Sequence, residues 1–187
     1  GKALFDFFLW GGPSKSSGQS DILIDCEADQ VEALVRRLSM YRLRRKIAIV
    51  VDDSIGVFWS AQGEGDPRHA ALGRRWLDHV AADDIDVSAD FRAHRLALGI
   101  AEGVAELGSD QTLWLEANAA ELNGVSFSKG CYVGQEVVSR MQHRGTGGRT
   151  RIVPIVYDGG FAATEGAEAK AGDKVVGSVG SNASGQG

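Results

Sequence analysis

The sequence predicts an α+β protein whose sheets are mostly antiparallel. Three observations carry that expectation. The first 60 residues read in the order strand, strand, helix, strand, strand. Amphipathic helical stripes recur further along the chain, and after about residue 149 the pattern returns to short strands. The chain therefore divides into a larger α+β unit over residues 1–148 and the start of a small all-β module over 149–187.

Taken in order, Ala3 to Trp10 is aromatic and apolar, as suits a buried strand, and Gly11 to Gly18 is a turn-rich loop. Ile22, Ile24 and Cys26 alternate with Leu23 and Asp25, which gives a second strand. Asp29 with Glu32 resembles a capping box. Val31, Leu34, Val35 and Leu38, followed by Arg42 and Arg45, form the stripe of an amphipathic helix with a basic far end. Ile47–Val51 and Val57–Ser60 are the next strands, joined at Asp52-Asp53. Helical spacing of Ala71, Leu72, Trp76, Leu77 and Val80 predicts a helix over 68–80. A further helix runs over 91–107, interrupted at Gly99 and Gly103, and 113–128 is extended and loop-like. Gln135 to Arg144 is a short helix with Val137, Val138 and Met141 inward, stopped by Gly145. Strands over 150–157 and 173–179 flank a loop over 159–172.

Composition removes several classes of function. Of 187 residues, 43% are hydrophobic and 24% charged, which excludes a disordered or collagen-like chain. No apolar run approaches the roughly 20 residues that a membrane span needs. The net charge of -5 argues against coating of nucleic acid, so stable nucleic-acid binding is not expected. Cys26 and Cys131 form no paired framework, which fits a reducing compartment and points to a cytoplasmic protein. His69, His79, His94 and His143 lack ligand spacing and two lone cysteines cannot hold a cluster, so no bound metal is expected. The chain opens on Gly1-Lys2 and closes on a Ser, Asn and Gly-rich tail, and both ends read as cut from a longer protein.

One segment invites chemistry. In Ser128-Lys129-Gly130-Cys131-Tyr132-Val133-Gly134-Gln135-Glu136, glycines bracket a cysteine and an aromatic residue just before a helix. Gly130 and Gly134 permit a tight turn and the close approach of a ligand. Amides at a helix start, with Lys129 alongside, would favour the thiolate of Cys131. Taken alone, the string is equally compatible with a cysteine that packs in a turn.

The full string resembles the Lys-Gly-Cys-Tyr/Phe-x-Gly-Gln-Glu signature of the YgfZ family, which is related to the T-protein (aminomethyltransferase) of the glycine cleavage system. The match covers Lys129, Gly130, Cys131, Tyr132, Gly134, Gln135 and Glu136 and continues through Ser139-Arg140 and His143-Arg144-Gly145. Glu116-x-Asn118, Asn123 to Phe127, Tyr41 to Arg44 and Arg95-x-x-x-Gly99-Ile100 also resemble family segments, so the likeness spans nearly the whole chain. Trp114 stands where the family usually has proline, and Gly145 to Arg151 is richer in glycine than the family pattern.

The resemblance implies a T-protein-like folate-binding fold, here with its N-terminal part missing, followed by a partial C-terminal β-barrel. It implies tetrahydrofolate or a derivative as ligand, and a role supporting iron–sulfur cluster assembly or maintenance with indirect effects on tRNA modification. Iron–sulfur proteins or assembly factors are then the partners, and the mitochondrial matrix is the location in a eukaryote. Cys131 and Lys129 become the catalytic candidates. Glu116, Asn118, Tyr132, Gln135, Glu136 and Arg95 become the folate-binding ones, with Glu116 and Asn118 facing the pterin. The alternative activity is tetrahydrofolate-dependent aminomethyl transfer, although T-protein relatives lack a cysteine at this position. Two basic clusters remain: Arg36 to Lys46, which reads as a solvated helix face supporting salt bridges, and Arg140 to Arg151, which lies beside the signature.

Overall fold

The computed structural model describes residues 1–14, 20–144, 150–156 and 163–182. Its strands form three two-stranded antiparallel sheets: β1 (Phe7–Ser14) with β2 (Ser20–Cys26), β3 (Ile55–Ser60) with β4 (Arg74–His79), and β5 (Glu168–Ala171) with β6 (Lys174–Ser178). The helices are α1 (Val31–Tyr41), α2 (Ser88–Ala97), α3 (Gly103–Leu107) and α4 (Gln135–Arg144). The mixed, antiparallel character expected from the sequence is present.

In the first hairpin, Phe8 pairs with Asp25 and Trp10 with Leu23, while Leu9 pairs with Ile24 and Gly11 with Ile22. Because side chains alternate between faces, these are two separate surfaces. Asp25 on one is buried, whereas Leu9 and Ile22 on the other are 64% and 68% exposed. The expected strand at Ala3 begins only at Phe7. β1 extends into the segment read as a loop as far as Ser14, and Lys15 to Gly18 lie outside the described residues.

The helix expected over 68–80 is not formed. A single 3-10 turn (Ala70–Leu72) is followed by β4. Gly73 decides this: at φ +83° it stands where a Cβ would come within 2.2 Å of the Ser60 carbonyl oxygen, so the backbone reverses there and pairs with β3. Phe58 and Trp76 then face each other across the pair, their rings stacked at 5.7 Å. Trp59 Nε1 donates to the Leu72 carbonyl at 2.7 Å and closes over Leu72, which is fully buried.

Other expectations shift for similar local reasons. Asp29 and Glu32 form no capping box, because the chain enters α1 through a 3-10 turn (Ala28–Gln30) and Gln30 occupies the cap. Residues 47–51 have no strand partner and form no strand; Val50 is 80% exposed. The helix read over 91–107 is two helices, with Gly99 at φ +70° in the break between them. Residues 113–123 are a succession of turns that buries Leu115, Ala117 and Ala119.

Towards the C-terminal end, residues 150–156 form no strand. They are held instead by the Ile152 amide donating to the Glu116 carbonyl at 3.0 Å and Asn118 Nδ2 donating to the Ile152 carbonyl at 2.9 Å. β5 falls inside the segment expected as a loop, and the described residues contain one hairpin here and no closed barrel. The helix stop at Gly145, the glycines before Arg149 and Tyr157 lie outside the described residues. A small apolar core joins Ala3, Leu107 and Ala117, with Trp114 and Ile152 packed against it.

Candidate functional site

The signature segment forms one wall of a cleft of about 340 Å³. The opposite wall is the start of the chain, and backbone bonds hold it in place. Ala3 donates to Thr112 at 2.8 Å, Asp110 to Ala3 at 2.8 Å, and Trp114 to Gly1 at 2.9 Å. These bonds carry Leu4, Phe5 and Phe7 to face Trp114, Lys129 and Tyr132. Trp114 is fixed by its Nε1 donating to the Gly124 carbonyl at 3.0 Å. Gly134 must lack a side chain, because its φ is +87° and a Cβ would stand 2.9 Å from the Gly1 nitrogen. The size falls in the range of small-molecule sites, and aromatic walls with the cations Lys2 and Lys129 suit a flat ring carrying an anionic tail.

Of the residues singled out in the sequence, Lys129 and Tyr132 line this cleft, and the Lys129 ammonium lies 4.9 Å from the centre of the Tyr132 ring. Cys131, between them, is exposed and is not among the residues lining the cleft. The first helical bond of α4 runs from the Val138 amide to the Gly134 carbonyl at 3.3 Å, so Cys131 precedes the helix by a full turn. The field of the helix dipole fades over that distance, and accessibility becomes the property that distinguishes this thiol. Cys26 differs: it is half-buried, and burial first, then the charges of Asp25 and Glu27, push its thiol up.

The remaining candidates have partners within the chain. Glu116 Oε2 accepts from the Leu113 amide at 3.3 Å, and Asn118 holds Ile152. Gln135 opens α4, and Glu136 is exposed and pairs with Arg140 one turn on at 3.0 Å. Arg95 lies in a different part of the molecule, donating to Glu106 at 2.6 and 3.1 Å and to the Ile100 carbonyl at 2.7 Å.

Arg95 belongs to a buried ionic network that sequence reasoning did not find. Arg75 donates to both oxygens of Asp25, at 2.9 and 3.0 Å. Arg68 donates to Asp66 at 2.8 Å and bonds Glu102. The guanidinium groups of Arg68 and Arg75 lie 4.8 and 4.9 Å from the Phe8 ring, and both also reach Phe91. Burial opposes the charge of Arg68, but Asp66 and Glu102 outweigh it and hold its pKa up. Burial pushes the Asp25 carboxyl up against the pull of Arg75, and burial likewise pushes Asp6 up, opposed by a bond from the Gly103 amide. A small cavity of about 60 Å³ lies between these acids and Cys26. Among the described residues, no three His, Cys, Asp or Glu side chains stand together as a metal site, and no helix is long and apolar enough to cross a membrane.

No family model matches the chain. It is 32% identical over 191 residues to the mitochondrial iron–sulfur cluster assembly factor IBA57 of Mus musculus, an alignment covering 88% of this chain and 53% of the mouse protein. It is 34% identical over 193 residues to the IBA57 homolog of Pyricularia oryzae, covering 91% and 49%. With the Homo sapiens factor it shares 32% over 184 residues, covering 84% and 51%. The chain spans about half the length of the curated relatives it matches. Along most of its own length, the chain is similar to proteins named iron–sulfur cluster assembly factors.

Proposed function

We propose that this chain acts in the assembly or maintenance of iron–sulfur clusters, as part of a folate-binding accessory protein of the YgfZ family with the T-protein-like fold that family implies. The observation that carries the reading is a conjunction: a chain similar to cluster assembly factors places Lys129 and Tyr132 of its signature on the cleft, and Cys131, which with Gly130 separates them in the sequence, is exposed. Exposure leaves this thiol open to a partner protein, and the partners are iron–sulfur proteins or their assembly factors. Loss of cluster-dependent enzymes would then depress tRNA modification indirectly. The site of action is the mitochondrial matrix in a eukaryotic cell and the cytoplasm in a bacterial one.

Tetrahydrofolate, a one-carbon carrier, is the proposed ligand of the cleft. Phe5, Phe7, Trp114 and Tyr132 offer faces for a pterin or aminobenzoate ring, and Lys129 offers a cation for the glutamate carboxylates. Glu116 and Asn118 would act from behind this surface, where they hold the turns that carry Trp114. Residues 1–148 form the folate unit in this reading, and 149–187 begin the barrel.

Two experiments test the two halves. Depletion of the protein should lower the activity of cluster-dependent enzymes and leave cluster-free enzymes unchanged; equal effects on both classes would sink the assembly role. Reduced tetrahydrofolate should raise the melting temperature and quench Trp114, and Tyr132→Ala should abolish both responses. A ligand response that survives Tyr132→Ala and Trp114→Phe would place folate elsewhere.

A further inference from the structure

We propose that the C-terminal end of α1 and the turn after it form a docking knob for an acidic protein partner, distinct from the cleft and independent of the function proposed above. The segment from Arg36 to Ile47 holds Arg36, Arg37, Arg42, Arg44, Arg45 and Lys46 and no acidic residue, in a chain whose net charge is -5. A solvated helix face would be expected to neutralise such a run with neighbouring carboxylates. Here none of the six cations forms an ion pair with any acid among the described residues. The other basic cluster differs, since Arg140 pairs with Glu136 and Arg151 with Glu121.

The knob is preformed. Arg42 NH1 donates to the Ile47 carbonyl at 2.9 Å, and the backbone bonds Arg45 to Arg42 and Ile47 to Arg45 close the turn at 2.9 and 3.0 Å. Between the cations it presents Met40 at 58%, Tyr41 at 59% and Leu43 at 85% exposure. Leu43 also has φ +49°, a conformation that side-chain-bearing residues rarely adopt, so the turn holds a large apolar side chain out into solvent at a conformational cost.

Composition selects the class of partner. Arg, Tyr and Met are the residues enriched in protein interfaces, whereas Lys, here only Lys46, is depleted. Arginine forks match carboxylates in a two-point bond, and exposed apolar groups beside them need apolar groups to meet. An anionic membrane rewards lysine and arginine alike, and a phosphate backbone offers nothing for Leu43 or Met40. The occupant that fits is a protein segment with carboxylates flanking apolar side chains.

The test uses the full chain and a random peptide library displayed on phage, counter-selected with the Arg44→Glu/Arg45→Glu variant. Recovered peptides should carry Asp or Glu beside apolar residues. Their affinity should fall about tenfold or more with that double reversal, and also with Arg44→Gln/Arg45→Gln, which guards against a folding defect. Leu43→Asn, which keeps the left-handed turn, should weaken binding severalfold without changing its salt dependence. Peptides lacking acids, or binding that ignores these variants, would overturn the proposal. So would phosphatidylglycerol vesicles or oligouridylate binding more tightly than the peptides, or a dimer of the chain that the double reversal dissolves.

Discussion

Replacing Arg75 by methionine removes one charge from the buried network and leaves its apolar stem against Phe8 and Phe91. The Arg75 and Asp25 side chains are 7% and 3% exposed, so Asp25 would become a carboxylate with little water and no cation. Breaking a buried pair from one side costs about 3–5 kcal/mol. Against a typical total of about 5–15 kcal/mol, that is a large share, and it lowers Tm by roughly 6–20 °C for a chain of this size. The deficit carries a pH signature. Burial already raises the Asp25 pKa above its ordinary 3.8, and without Arg75 it rises further. A carboxyl with a raised folded-state pKa favours the fold when protonated, so the deficit of Arg75→Met shrinks as the pH falls and grows as it rises through the folded pKa. Asp25→Leu added to Arg75→Met should recover most of the loss by removing the stranded charge. The assay is denaturant unfolding of wild type, single and double variants at neutral and acidic pH. A loss below about 1 kcal/mol, a loss equal at every pH, or a double variant no better than the single would refute the reasoning.

Gly73→Ala should cost about 3 kcal/mol or more, since it combines a positive φ with a clash against the Ser60 backbone; thermal melts check it. Asp6→Asn removes a charge that burial disfavours while retaining an acceptor for the Gly103 amide. Its protein should be more stable than wild type at neutral pH, and the two should converge as the pH falls towards 3.8, as urea titrations over pH would show. Cys131→Ser should leave stability within about 0.5 kcal/mol of wild type, because the side chain is exposed, and calorimetry would detect a larger change.

The parts of the fold legible in the sequence are those that local pattern decides. Alternation in Ile22 to Cys26 gives β2, and the apolar stripe of Val31 to Leu38 gives α1. The segment from Ala71 to Val80 misleads because its apolar residues satisfy a helical period by coincidence. What settles it is non-local: the close approach of Gly73 to Ser60 and the pairing of Trp76 with Phe58. Asp25 alternates within its strand as an outward polar residue would, yet it faces in, because Arg75, 50 positions away, comes to meet it. The site divides in the same way. Lys129, Cys131 and Tyr132 stand out as a string, whereas the wall opposite them depends on backbone bonds between residues 1–3 and 110–114, which leave no trace in the sequence. Aromatic alternation at Phe5 and Phe7 was the one available sign that this wall existed. Arg95, expected from the family resemblance among the folate-binding residues, is instead held by Glu106.

The most direct measurement is rescue. Cells depleted of the protein would be supplied with wild type or Cys131→Ser at matched levels, and the activity of a cluster-dependent enzyme followed. The exposed thiol is expected to be indispensable, so wild type restores the enzyme and the serine variant, folded and equally abundant, does not. Full restoration by the serine variant would contradict the account.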